Sequence, residues 1–157
     1  MLSPQEFTVG TFATAKPGSL VLPRAKHEAP ALICEGDGEP VAVVLSGTYA
    51  FHSFPTGGAE NWRGVIVPDV SIELDETSLY DPDHHGHLPG VLVREGTRLM
   101  VRGMPQQAFG RSVPVVIHAG LPDGAGRAAF TRWQVILGQG DEKRVLHQAD
   151  LGDPPNA

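Results

Sequence analysis

The amino-acid sequence predicts an all-β fold: a single-domain antiparallel β-sandwich or jelly-roll-like barrel of about 10 short strands. Three observations carry that expectation. Gly and Pro supply 19 and 14 of the 157 residues, about a fifth of the chain against ~12% in average usage. Inside a helix Gly costs about 1 kcal/mol and Pro about 3 kcal/mol relative to Ala, so long helices, bundles and coiled coils are excluded. Apolar and polar residues alternate in short runs, the period of half-buried strands. Turn-forming residues punctuate those runs at roughly ten-residue spacing, the density of a sandwich or barrel.

Taken in order, residues 1–17 read as an N-terminal arm, 18–149 as the β domain and 150–157 as a C-terminal tail. Strands are expected at 19–23 and 30–34, with Asp37-Gly38 turning the chain into 40–46, and again at 48–54 and 62–67. Val70, Ile72 and Leu74 oppose Ser71, Glu73 and Asp75, the clearest alternation in the chain. A strand at 90–95 leads through Glu95-Gly96, at two-residue hairpin spacing, to a strand in which Leu99 and Val101 oppose Arg98, Met100 and Arg102. The run 112–118 contains Pro114, whose missing N–H places it at a sheet edge; Pro23, Pro40 and Pro68 mark strand ends. Trp133, Val135 and Leu137 share one face against Arg132, Gln134 and Ile136, and Gly138-Gln139-Gly140-Asp141 connects to a last strand at 143–149.

Bulk composition narrows the function classes. With 41% hydrophobic residues and a net charge of −6, the chain has enough apolar surface to fold and too little charge for disorder. Twelve Lys+Arg against eighteen Asp+Glu, with no basic run, leave no electrostatic footprint for nucleic acid or anionic lipid, although a basic pocket within an acidic protein is compatible with these totals. No apolar run reaches the length of a membrane span, and the first residues lack a signal-peptide pattern. The lone Cys34 rules out an intramolecular disulfide. A cytoplasmic location is expected.

Asp81-Pro82-Asp83-His84-His85-Gly86-His87 gathers three of the seven histidines with two carboxylates. Imidazole and carboxylate oxygen are the usual ligands of a divalent transition metal, and His85 and His87 would share a face if extended. Candidate metal ligands are therefore His85 and His87 with one or more of His84, Asp81, Asp83, His52 and His118. The same composition also describes an ordinary surface turn. A calcium loop opening at Asp81 would need Glu at position 92, where Leu92 stands. The cupins, small jelly-roll barrels, carry Gly, five residues, His-x-His and then a Glu four or five later. Here Leu79 stands where that Gly belongs, and the next Glu after His87 is Glu95. Gly18, Pro23, Ala25 and His27 echo the second cupin motif only faintly, so no membership is assigned.

Tyr49, Phe51, Phe54 and Trp62 concentrate the aromatics. Trp62 and Tyr49, with Arg63, form a candidate binding platform for a sugar ring or a protein partner; Tyr49 and Phe51, two apart, alternatively share an inward face. Glu73 and Asp75 on one strand, and Arg98 and Arg102 on another, are read as opposed charges across a sheet. No nucleophile stands in a catalytic setting: Ser46 and Ser53 lack Gly-x-Ser-x-Gly, and Cys34 has no nearby cation. The favoured function is a non-catalytic binding or structural module acting in a homo-oligomer or larger assembly, with protein partners and without nucleic acid or membrane. The alternatives are a metal-dependent, cupin-like enzyme or metal-binding protein using residues 81–87, and a carbohydrate-binding module.

Overall fold

In the computed structural model, which describes residues 2–24, 28–106, 111–124 and 126–155, the chain is an all-β sandwich. Its larger sheet has eleven strands in the order β1-β6-β2-β3-β4-β5-β10-β9-β12-β8, with β11 also on β10. These are β1 Thr8–Thr11, β2 Leu20–Pro23, β3 Ala31–Cys34, β4 Val41–Val44, β5 His52–Pro55, β6 Arg63–Val67, β8 Leu79–Tyr80, β9 Leu92–Glu95, β10 Arg98–Pro105, β11 Val113–His118 and β12 Arg127–Phe130. The second sheet is β14-β13-β7, from Arg144–Asp150, Arg132–Leu137 and Ser71–Leu74. A single α-helical turn, α1 (Pro82–His85), and several short 3-10 turns interrupt the β-structure among the described residues. All pairings are antiparallel except β5 with β10. That exception follows from the length of β10: its first residues pair with β9, and Met104 and Pro105 run on to pair with His52 and Ser53.

Strand alternation divides the apolar residues between faces. Leu20, Leu32, Cys34 and Val43 from one part of the large sheet, and Leu92, Leu99 and Val101 from another, meet Trp133 and Val135 of the small sheet in the main core. On the opposite face of β2–β4, Val21, Ala31, Ile33 and Ala42 pack with Phe12, Ile66 and Ala59. Small residues there let the sheet curl onto itself. A third cluster, Tyr80, Val91, Val93, Met100 and Ala129, lies on the outer face of β9, β10 and β12.

The expected strand at 48–54 is corrected to His52–Pro55. Gly47 and Phe51 both have positive φ (83° and 65°), so the chain turns there and the two-residue period breaks. Tyr49 and Phe51 therefore do not share a face: Phe51 is buried in the main core while Tyr49 is 67% exposed. The hairpin after β9 has Gly96-Thr97 as its loop, since Glu95 pairs with Arg98, and Gly96 takes φ +58° at the first loop position.

Four of the open edges are blunted. On β1 the Thr14 hydroxyl accepts from the Thr11 N–H (3.2 Å) and donates to the Thr11 carbonyl (2.9 Å). β11 contains Pro114, and on its far side, among the described residues, a single bond runs from the Glu35 N–H to the Val116 carbonyl, at 2.8 Å. β14 bulges where its register shifts opposite Val135/Ile136, and β8 is two residues long. Both ends of the chain are tied in. β1 belongs to the large sheet, Leu2 and Phe7 pack on the main core, and Thr131 binds Leu151 and Gly152 through backbone and hydroxyl. Among the described residues no helix is long and apolar enough to cross a membrane, which says nothing of β-barrel crossing.

Candidate functional site

The outer face of β9–β12 holds a pocket of about 180 Å³. Its lining follows from period-two alternation: Leu99 and Val101 go to the core, so Arg98, Met100 and Arg102 face out. Val93 and Glu95 of β9, Pro114 and Val116 of β11 and Arg127 of β12 join them on that face, and His87, in the loop after α1, completes the wall.

Three arginines thus converge in a chain of net charge −6. Arg102 is held by Ser112: its Nε donates to Oγ at 3.2 Å and its Nη2 to the carbonyl at 2.6 Å. Arg127 Nη2 pairs with Asp83 Oδ1 at 2.5 Å. Glu95 is the register partner of both Arg98 and Arg127, standing between them across the sheet. Among the described residues no ion pair or side-chain hydrogen bond engages Arg98 or Glu95. His87 Nδ1 is buried without a hydrogen-bond partner among these residues. Burial holds its pKa below the ordinary value; Arg102 and Arg127 add to this, while Asp83 and Glu95 oppose it. The imidazole is therefore neutral near pH 7. Burial likewise raises the Tyr80 phenol, whose hydroxyl donates to the Gly86 carbonyl at 3.2 Å.

The histidine-rich stretch adopts a different geometry from the one its spacing predicts. Asp81 caps α1 by accepting from the Asp83 N–H at 2.9 Å, and its other oxygen lies 2.7 Å from His84 Nδ1. His85 packs edge-on to Tyr80, with ring centroids 6.5 Å apart. Gly86, at φ +74°, then redirects the chain so that His87 enters the pocket. A helical turn followed by a left-handed glycine cannot present His85 and His87 side by side, as an extended segment would. Asp83 is committed to Arg127, His52 lies edge-on to Tyr49 at 5.5 Å, and His118 is exposed at the end of β11. Among the described residues no group of three His, Cys, Asp or Glu is placed to hold a metal. Ala25 and His27 lie outside the described residues.

The expected pairing of Glu73 and Asp75 with Arg98 and Arg102 is also corrected. β7 and β10 belong to different sheets. Glu73 instead accepts from Lys143 Nζ and Gln134 Nε2, each at 2.9 Å, and Asp75 caps the turn at Thr77 (2.9 Å to its N–H). Trp62 is 56% exposed and is an edge partner of Phe54 and Phe12, at 5.2 and 5.8 Å. Arg63 is exposed at the start of β6. Sequence reasoning did not assemble Arg98, Arg102, Arg127 and Glu95. The legible signal was Arg98-x-x-x-Arg102 with Met100 between them on one strand face; the contribution of β12 required the pairing.

Two sheets and an arginine-walled pocket on an outer sheet face define an all-β sandwich domain with a small, positively charged recess. The chain belongs to the y4lG family: a family model described as "Uncharacterised protein y4lG" matches residues 9–156. A relative from Sinorhizobium fredii, described as "Uncharacterized protein y4lG", is 47% identical over 149 residues, covering 94% of this chain and 92% of its own. No solved structure matches.

Proposed function

We propose that this chain is a non-catalytic binding module whose ligand enters the pocket formed by the outer face of β9–β12 and the loop after α1. The carrying observation is the convergence of Arg98, Arg102 and Arg127 with a single lining carboxylate, Glu95, around the apolar side chains of Val93, Met100 and Val116. Charged and apolar groups gathered in one recess are the usual lining of a small-molecule site.

The test is a thermal-shift screen of a chemically broad small-molecule library against the wild-type chain and Val116→Trp, which fills the recess. Compounds that raise the Tm of the wild type and leave the variant unmoved support the reading; a screen in which every stabilising compound acts equally on both contradicts it. A second reading, self-association, is favoured by the exposed rings of Tyr49 and Trp62. Light scattering tests it: wild-type mass should exceed the monomer and fall in Trp62→Ala, and a monomeric wild type rejects it. The cytoplasmic placement joins the proposal, supported by Cys34, a buried free thiol.

A further inference from the structure

We infer that the ligand of this pocket is a small organic anion carrying a single oxyanion head, of carboxylate or phosphate type, on a body with an apolar face. This rests on the pocket being the binding site and adds the chemistry of what it takes.

Charge supplies the first part. Arg98, Arg102 and Arg127 face one lining carboxylate, Glu95, and Asp83 compensates Arg127 from outside the lining. Positive charge therefore remains in excess beside the neutral His87. The two anchored guanidiniums are already oriented: Ser112 fixes Arg102 through Nε and Nη2, and Asp83 takes one nitrogen of Arg127. Their remaining N–H groups and the uncommitted fork of Arg98 suit an oxyanion, because a planar guanidinium donates two parallel bonds to one carboxylate or phosphate. Pre-ordering lowers the entropy cost of each contact.

Glu95 supplies the second part. Lying in register between Arg98 and Arg127, it repels a second anionic group on that side, so the site discriminates against polyanions while retaining a single charged head. Met100, Val93 and Val116 supply the apolar part of the lining, against which the body of the ligand packs. A volume of about 180 Å³ falls below the 300–1,000 Å³ typical of drug-sized ligands, so the molecule is small.

Isothermal titration of the intact chain with four probes of similar shape tests this: benzoate, phenyl phosphate, benzamide and benzamidine. Benzoate and phenyl phosphate should bind, with benzoate the stronger, and the neutral and cationic probes should bind at least tenfold more weakly. Arg98→Met should weaken benzoate about tenfold or more, the loss of a charged hydrogen-bond partner. Arg98 is exposed and, among the described residues, makes no ion pair or side-chain hydrogen bond, so this variant keeps the fold. Glu95→Gln should tighten both anions and favour phenyl phosphate most, a gain that general damage to the fold would not produce. The inference is overturned if no anionic probe binds, if benzamide or benzamidine binds as well as benzoate, or if Arg98→Met leaves benzoate unchanged. Should the library find neutral compounds that Val116→Trp excludes while benzoate fails, the anion assignment falls and the pocket reading stands. Should no compound depend on Val116, the pocket reading itself falls.

Discussion

The rings of Phe54 and Trp62 lie 5.2 Å apart at 70°, although β2, β3 and β4 separate their strands in the hydrogen-bonded order. Four strand steps would span roughly 19 Å in a flat sheet, so the β6-to-β5 part of the sheet curls until these two rings meet. Phe12, arriving from β1, stacks on Phe54 at 5.9 Å and completes the closure. The half-exposed tryptophan is thus a seam between distant strands as well as a surface ring. Phe54→Ala should destabilise the chain by about 3 kcal/mol and Trp62→Ala by a smaller amount, near 1–2 kcal/mol from two edge contacts. Urea unfolding followed by circular dichroism reads both; unchanged midpoints would show that the seam carries no stability.

A second seam joins the two sheets. Trp133 Nε1 donates to the Gly90 carbonyl at 2.9 Å, and a Cβ on Gly90 would lie 2.4 Å from the Phe51 ring. Gly90 has φ +86°, so only glycine is unstrained there. Gly90→Ala should cost about 2 kcal/mol or more through overpacking and backbone strain. Trp133→Phe should cost about 1–3 kcal/mol by stranding the carbonyl. Equilibrium unfolding of both variants checks this, with Gly124→Ala, where an added Cβ meets nothing within 4 Å, as the neutral control.

Burial holds both His87 and His147 below the ordinary histidine value of 6.5. The unfolded chain therefore binds more protons than the folded one once pH falls below about 6.5. Stability should be level above that pH and decline as pH drops through 6.5 toward the folded values. His87→Phe should remove part of this decline and raise stability near neutral pH, because the unpartnered nitrogen is gone. Melting temperatures between pH 7.5 and 5 read the slope; one that is unchanged in His87→Phe would contradict the assignment.

Cys34 is fully buried in the main core, and burial pushes its thiol far above the ordinary value. The thiolate needed for attack is absent from the native state. Ellman's reagent should leave the folded chain unlabelled and react stoichiometrically once guanidinium unfolds it. Rapid labelling of the native chain would show that β3 opens.

Most of the strands were legible because burial writes itself as alternation: Trp133 and Val135, or Leu99 and Val101, share a face packed in the main core, although Met100 and Ile136 are buried as well. Tyr49 and Phe51 show where that logic stops. Their spacing is that of a strand, but Phe51 adopts a left-handed conformation that tertiary packing against Gly90 imposes, and no local pattern reports it. The same limit governs the site. Asp81 to His87 stood out by composition, yet the cap by Asp81 and the turn at Gly86 decide that only His87 reaches the pocket. Arg98 and Arg102 were visible on one strand face, while Arg127 joins them only because β12 pairs with β9 from the far end of the chain.

The proposed binding of one small anion among Arg98, Arg102, Arg127 and His87 is read most directly by NMR of the arginine Nε–Hε groups during titration with benzoate. Saturable shifts should be confined to Arg98, Arg102 and Arg127, with a matching change at the His87 ring. Shifts spread evenly over Arg63, Arg111 and the other surface arginines, or no saturation at all, would contradict it.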